Sequence, residues 1–230
     1  MANFWITDWS SKGLKLLIVE KIMKSEVYTL SPNNTVEEAL RFMEEKRIRH
    51  LPILNEQNNV VGIVSDRDLR SIVPSAIREN VSKEEREKPL SVLMNKEVVT
   101  GHPLDFVEDI AGIFYEYKIG CLPIVQQEKL VGIVTKTDVL RTFVQLAGAN
   151  QPSSQIEIKV KNIAGKLSDV TAVFRNRNVN ILSVLVYPDD NELYKILVFR
   201  IGTMNPTTII QDLKKEGYDV LWPNILGKEL

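Results

Sequence analysis

The segment GIVSDRDL at residues 62–69 returns as GIVTKTDVL at residues 132–140. Each copy contains an apolar, β-branched run followed by a small hydroxyl residue, Ser65 or Thr135. An aspartate, Asp68 or Asp138, stands three positions after that hydroxyl. Such a repeat predicts that two related structural units are joined in one chain.

The similarity extends far beyond these two segments. With an offset of 71 positions, Met23, Val27, Thr29, Pro32, Val36, Leu51 and Pro52 match Met94, Val98, Thr100, Pro103, Val107, Leu122 and Pro123. After one residue is lost from a loop, the offset becomes 70 for the segments quoted above. We therefore expect one motif over residues 17–77 and a second over residues 89–147, joined by a charged connector at residues 78–88.

Each copy predicts a helix followed by a hairpin. The apolar residues Val36, Ala39, Leu40 and Met43, and likewise Val107, Ile110, Ala111 and Phe114, follow the spacing of one helix face. HLPIL with NVVGIVS, and CLPIV with LVGIVT, are short strand-like runs separated by polar residues. Thr35 with Glu38 has the spacing of a capping box, and Asp105 with Glu108 predicts a similar helix start.

A different pattern follows a linker of small residues and proline at residues 148–154. Residues 155–223 predict strand, helix, strand, strand, helix and strand, which is a ferredoxin-like order of elements. The middle strands carry apolar residues on both faces, so we expect one face to meet a second subunit or the repeat. Residues 1–16 are expected to be a disordered N-terminal extension outside the folded module, and residues 224–230 a tail. The fold class is therefore α+β or α/β: a repeated pair followed by a βαββαβ domain.

Composition limits the classes of function. The chain has 230 residues, 44% of them hydrophobic and 26% charged, with a net charge of −1. These values are typical of a globular protein that we expect in the cytoplasm, and they give no electrostatic reason to expect binding to nucleic acid or to a membrane. One cysteine, Cys121, cannot form an internal disulfide, and no residue spacing predicts a metal site. No common catalytic motif is present, so we expect a protein that is not an enzyme.

Two interpretations of Ser65-x-x-Asp68 and Thr135-x-x-Asp138 stay open. The structural one is a capping box, in which hydroxyl and carboxylate begin a helix. The functional one is a ribose site, because the two hydroxyls of a ribose need a fixed acceptor and a helix start favours phosphate. The polar neighbours differ between the copies, Asp66-Arg67 against Lys136-Thr137. Equal affinity of two such sites is therefore not expected.

The paired V-x-T-x-x-P, L-P-I and G-I-V-[ST]-x-x-D segments resemble two CBS motifs that form a Bateman module, over about residues 18–147. The resemblance implies clefts for adenosine compounds: AMP, ADP or ATP, with NAD or S-adenosylmethionine as further candidates. It implies ribose contacts from Ser65, Asp68, Thr135 and Asp138. It implies an adenine pocket lined by Val27, Thr29, Val98, Thr100, His50, Pro52, Cys121 and Pro123. Candidate phosphate contacts are Arg49, Arg67, Lys118 and Lys136.

The C-terminal part resembles an ACT domain, with NIAGKL at residues 162–167 and NILS at residues 180–183. The resemblance implies a ligand or dimer loop at Asn162, Ile163, Ala164, Gly165 and Lys166. Asn162 and Ala164 replace the aspartate and proline common in that family, so a sheet that only dimerises is an equal alternative.

The order of two CBS motifs and one ACT domain is similar to that of the acetoin utilization proteins of Gram-positive bacteria. It implies a non-catalytic regulatory sensor, a homodimer with an unknown target protein, that acts in the breakdown of acetoin or butanediol. The alternatives are a dimerisation scaffold that binds no nucleotide and a nucleotide-processing enzyme with an unfamiliar motif.

Overall fold

The protein is described by a computed structural model for residues 17–72 and 83–223. The expected N-terminal extension, the tail at residues 224–230 and residues 78–82 of the expected connector lie outside the described residues. The chain divides into two compact units, and the division falls between Val139 and Leu140. Each unit is described below by itself.

The first unit contains both copies of the repeat up to Val139, within the last helix of the second copy, and each copy places a two-stranded antiparallel sheet beside helices. The elements of the first copy are α1 (Val36–Lys46), β1 (His50–Leu54), β2 (Val60–Ser65) and α2 (Asp66–Ile72), and α3 (Lys83–Arg86) precedes the second copy. The elements of the second copy are α4 (Val107–Glu116), β3 (Cys121–Gln126), β4 (Lys129–Thr135) and α5 (Lys136–Leu146). The predicted helices and hairpins are confirmed.

Helix starts differ between the two copies. Thr35 and Glu38 form the predicted capping box at α1, in which each side chain accepts a hydrogen bond from the other residue's backbone N–H. The similar prediction for Asp105 and Glu108 is wrong, because the residue before α4 is Phe106, which provides no side-chain cap. The Asp105 carboxylate instead accepts a hydrogen bond of 2.7 Å from the backbone N–H of His102, within the preceding turn.

The two copies exchange the segments that precede their helices. Val19 is fully buried in the core around α4, although it belongs to the start of the first copy, and Leu90, at the start of the second copy, is fully buried in the core around α1. Lys24 exchanges two backbone hydrogen bonds of 3.0 Å with Ile133 of β4. Asn95 makes the equivalent pair, 2.9 and 3.0 Å, with Ile63 of β2. Each packing core therefore contains residues from both copies of the repeat.

The second unit has the predicted βαββαβ order. Its elements after the linker are β5 (Ser154–Lys161), α6 (Lys166–Asn176), β6 (Ile181–Pro188), β7 (Tyr194–Ile201), α7 (Thr207–Lys215) and β8 (Asp219–Trp222). The strands form one antiparallel sheet in the order β6-β7-β5-β8. Phe174 of α6 and Phe199 of β7 are fully buried, with ring centroids 4.8 Å apart, so the helices pack on one face of the sheet.

Strand β6 forms one edge of this sheet and exposes apolar side chains. Leu185, Val186 and Tyr187 are 42%, 48% and 47% exposed. An edge strand with unpaired backbone groups and apolar side chains can pair with another chain. This strand is consistent with the expected dimerising sheet, which stays a prediction.

Candidate functional site

Ser65 and Asp68 lie where β2 ends and α2 begins, and they form the predicted capping box. The backbone N–H and the hydroxyl of Ser65 both donate to Oδ2 of Asp68, at 3.1 and 2.6 Å. The backbone N–H of Asp68 donates to Oγ of Ser65 at 3.2 Å. The structural interpretation of this motif is therefore correct as geometry, and it leaves the second carboxylate oxygen, Oδ1, outside these hydrogen bonds.

Thr135 and Asp138 repeat the same arrangement between β4 and α5. The backbone N–H and the hydroxyl of Thr135 donate to Oδ2 of Asp138, at 2.9 and 2.5 Å. The two aspartates nevertheless differ in accessibility, because Asp138 is 8% exposed whereas Asp68 is an exposed residue. Asp68 can thus contact a dissolved molecule more readily than Asp138 can.

A cavity of about 660 Å³ lies beside Ser65 and Asp68 within the first unit. Its lining comes from both copies of the repeat: Arg49, His50, Ile63, Val64, Ser65, Asp66, Arg67, Asp68, Asn95, Glu97, Val98, Val99, Lys118, Ile119, Gly120, Cys121 and Lys136. The exchange of segments explains this composition, since the bonds between Ile63 and Asn95 hold residues 95–99 against β2. The volume is in the range of small-molecule sites.

Four exposed cations line this cavity: Arg49, Arg67, Lys118 and Lys136. Three acidic residues, Asp66, Asp68 and Glu97, line it as well. The Asp66 carboxylate is already paired with Arg70, at 2.7 Å. Asp68 accepts hydrogen bonds in the helix cap described above. The cations of the lining therefore outnumber its acidic residues. This surplus of positive charge favours binding of an anionic group.

His50 is the first residue of β1 and faces the second copy across the cavity. A Cβ atom on Gly120 would lie 2.6 Å from Nε2 of His50, so the imidazole packs directly on this glycine. Burial lowers the pKa of His50, the carboxylates of Asp68 and Asp66 oppose that shift, and Arg49 adds to it. The neutral imidazole can both donate and accept a hydrogen bond beside a bound base.

Other predicted site residues are not on this lining. Val27 and Thr29 line a separate cavity of about 480 Å³ with Lys129, and Thr100 is exposed. Pro52 and Pro123 are buried within β1 and β3. Thr135 and Asp138 are outside the lining too, although Lys136 between them belongs to it.

Several lining residues are not among the predicted site residues, including Asn95, Glu97, Val99 and Gly120. The available signal was the repeat itself. Val98 aligns with Val27 and is a predicted site residue, so its sequence neighbours Glu97 and Val99 are candidates as well. Val98 lies on the same lining as Asp68 of the other copy because the two copies exchange segments, and the sequence does not show that exchange.

Cys121 lies at the same position in β3 as His50 in β1 and is 3% exposed. Burial raises the pKa of its thiol to about 12. A thiol in this state is a weak nucleophile near neutral pH. Cys121 therefore contributes a small apolar surface to the cavity.

The predicted loop of the second unit lies before α6. Gly165 has a φ of 88°, which favours glycine, and a Cβ atom there would meet nothing in this chain within 4 Å. The Asn162 amide donates to the carbonyl of Glu192 at 3.1 Å, and the Lys166 ammonium pairs with Asp169 at 2.8 Å. Ile163 is 60% exposed, and Ala164 is exposed as well. The role of this loop stays a prediction.

Two absences concern only residues 17–72 and 83–223. None of the helices in these ranges has both the length and the apolar character needed to cross a membrane. No group of three or more His, Cys, Asp or Glu side chains in the same ranges could hold a metal ion.

Known protein families match both parts of the chain. Residues 19–75 and 90–145 match the CBS domain family, and residues 154–217 match the ACT domain family. The CBS domain-containing protein YhcV of Bacillus subtilis is 32% identical over 145 residues, which are 63% of this chain and 97% of YhcV. Two enzymes also match, but the chain spans only 26% and 25% of their length.

Two solved structures resemble the repeated part of the chain. A Vibrio cholerae protein assigned to acetoin utilization (AcuB) is 32% identical, with a TM-score of 0.51, and the match covers 60% of this chain and 98% of that one. The CBS domain pair of protein MJ0100, in complex with 5′-methylthioadenosine and S-adenosyl-L-methionine, is 26% identical, with a TM-score of 0.50, over 59% of this chain and 99% of that one. The protein therefore belongs to the CBS domain-containing proteins, and it carries an ACT domain after its CBS pair.

Proposed function

We propose that the protein is a non-catalytic regulatory sensor that binds an adenine nucleotide in its CBS pair. The observation that carries this proposal is the position of Asp68. Its carboxylate is exposed beside a cavity lined by both CBS domains, and Oδ1 is not used by the helix cap. A ribose needs a fixed oxygen acceptor of this kind. The MJ0100 pair, which shares this fold, was solved with two adenosine compounds.

The cavity supplies the other parts of a nucleotide site. Val98, Val99 and Ile119 offer an apolar surface for a base, and His50 lies at its edge. The surplus of cations described above provides for phosphate. Regulation follows if the nucleotide binds one arrangement of the two domains better than another, because only such a difference can shift an equilibrium.

The wider setting is part of the same proposal. We place the protein in the cytoplasm as a homodimer, paired through the ACT domain, and in acetoin or butanediol catabolism. The exposed apolar edge strand β6 supports the dimer. The AcuB protein of Vibrio cholerae, similar only over the CBS pair, supports the pathway. Loss of the gene should then slow growth on acetoin as carbon source and leave growth on glucose unchanged.

Calorimetric titration tests the nucleotide proposal. The full-length protein is titrated with AMP, ADP, ATP, NAD and S-adenosylmethionine, and each mixture is analysed afterwards for conversion. Saturable binding with the ligand recovered unchanged is the expected result. Turnover would identify the protein as an enzyme instead. No binding by any of the five compounds would indicate that the CBS pair is an assembly scaffold. The Ser65–Asp68 and Thr135–Asp138 motifs would then be helix caps only.

A further inference from the structure

We propose that the CBS pair takes one nucleotide per chain, at Asp68, and that this nucleotide carries two or more phosphates. This inference rests on the proposed function and deepens it, since it names the number of sites and the class of ligand. The sequence predicts only that two such sites would differ in affinity, whereas the inference is that one of them is occupied.

The first argument is the difference between the two aspartates. Both use Oδ2 in a helix cap, with hydrogen bonds of similar length. Asp138 is 8% exposed, whereas Asp68 is exposed and lies on the cavity lining. A ribose must reach its acceptor within about 3 Å, the length of a hydrogen bond. We therefore assign the ribose contact to the exposed Asp68, and a helix cap alone to the Thr135–Asp138 pair.

The second argument is the distribution of cations around the two aspartates. Arg49, Arg67, Lys118 and Lys136 line the cavity at Asp68. The repeat pairs these four positions with Gly120, Thr137, Arg47 and Asp66. A site built around Asp138 by the same symmetry would thus have one cation and one acid. The cations that can hold phosphate are therefore concentrated on one side of the module.

The third argument concerns the length of the phosphate chain. None of the four cations has an ion pair with another residue of the described ranges. Two come from each CBS domain, so a ligand that engages all four must reach both domains. A single phosphate group carries at most about two negative charges. A di- or triphosphate carries more charge over a longer distance, and it fits a lining that brings cations from two domains together.

The same lining disfavours other adenosine compounds. 5′-Methylthioadenosine has no phosphate, and S-adenosylmethionine has a positive sulfonium group that the four cations would repel. Within the described ranges, Asp68 and Glu97 are the acidic residues of the lining without an ion pair, and two carboxylates do not offset four cations. We therefore expect this chain to select differently from the MJ0100 pair, which was solved with these two compounds.

Calorimetric titration of the full-length protein tests the inference, with ADP, AMP and 5′-methylthioadenosine as probes. We expect one ADP per chain and an affinity for ADP at least about tenfold above that for AMP, as for one additional charge-assisted hydrogen bond. Added salt should weaken ADP binding more than 5′-methylthioadenosine binding. Two equivalent sites per chain, or AMP binding as tight as ADP binding, would overturn the inference.

Variants locate the site. Asp68→Ala and Asp138→Ala remove the same cap hydrogen bonds from equivalent helices, so the loss of the helix cap is matched between them. Asp68→Ala should weaken ADP binding by roughly tenfold, and Asp138→Ala should retain the wild-type affinity once thermal unfolding shows a folded protein. Equal loss in both variants would overturn the one-site assignment.

The cations provide a test that does not disturb a helix cap. Arg67→Gln should weaken ADP binding by roughly tenfold and change 5′-methylthioadenosine binding little. Arg41→Gln, which removes an exposed cation of α1 outside the cavity, is the control. An equal effect of both variants would contradict the phosphate assignment. If no adenine compound binds the wild-type protein, the proposed function itself fails, and this result differs from every outcome above.

Discussion

The side chain of Met94 lies directly on Gly62, so a Cβ atom on this glycine would be 2.7 Å from Cγ of Met94. Met94 belongs to the segment that crosses to the first CBS domain, and Gly62 is part of β2. The equivalent pair in the other direction is Met23 on Gly132, where a Cβ atom would lie 2.6 Å from the sulfur. Both glycines therefore leave room for a methionine side chain of the crossing segment.

Gly62→Ala should lower the free energy of unfolding. The added methyl group overlaps a methionine that is held by the backbone bonds of Asn95, so the crossing segment must shift. Overpacking of this kind costs about 1–3 kcal/mol. Urea unfolding followed by circular dichroism measures the change.

Gly112→Ala is the matched control for this substitution. Gly112 lies inside α4, and a Cβ atom there would meet nothing within 4 Å. The same change should therefore raise the free energy of unfolding by about 0.5–1 kcal/mol, since alanine favours a helix. If both variants are stabilised, the contact with Met94 is not a tight one.

The unequal helix starts give a second prediction. Thr35→Ala removes the side chain that caps α1 and should lower the free energy of unfolding by roughly 1 kcal/mol. Phe106→Thr should act in the opposite direction, because Phe106 provides no cap for α4 and is 53% exposed. Thermal unfolding of the two variants measures both effects. A loss in both would show that Phe106 contributes more by packing than a cap can restore.

His50 should make the stability of the protein depend on pH. Its folded-state pKa is lowered by burial, so the unfolded chain takes up a proton more readily below about pH 6.5. Stability is then fully present above that pH and falls as the pH drops through the folded-state pKa. His50→Gln, which cannot titrate, should show a smaller loss of unfolding free energy between about pH 7 and about pH 5. Identical pH slopes for the two proteins would refute this role.

Cys121 should resist thiol reagents in the folded protein. Burial raises its pKa to about 12, so almost no thiolate is present near neutral pH. Ellman's reagent should react slowly with the native protein and rapidly in denaturant. Fast labelling under native conditions, at a rate independent of added urea, would show that β3 opens easily.

The sequence predicts much of this fold because its signals are local. The spacing of Val36, Ala39, Leu40 and Met43 determines one face of α1, and the polar residues between two apolar runs predict each hairpin. The C-terminal order of elements is predicted on the same basis. Spacing alone wrongly predicts a cap from Asp105, since it does not show that this carboxylate accepts a hydrogen bond from the backbone N–H of His102.

The candidate site was harder to predict because it depends on long-range packing. Asp68 and Asp138 occupy the same position of the repeated motif. Only the folded structure shows that Asp68 is exposed and that Asp138 is 8% exposed. Likewise, periodicity cannot show that residues 95–99 lie against β2 of the first CBS domain. The repeat makes Val98 and Val27 equivalent in sequence, but of these two only Val98 lies on the lining beside Asp68.

The exchange of segments also constrains how the protein is made. Lys24 finds its hydrogen-bonding partner only when Ile133 has been translated, and Val19 must wait for α4. At a synthesis rate of about 5–20 residues per second, the early segment remains without its native partner for several seconds on the ribosome. During this time the β4 strand of a neighbouring nascent chain competes with the chain's own β4 as partner for the early segment.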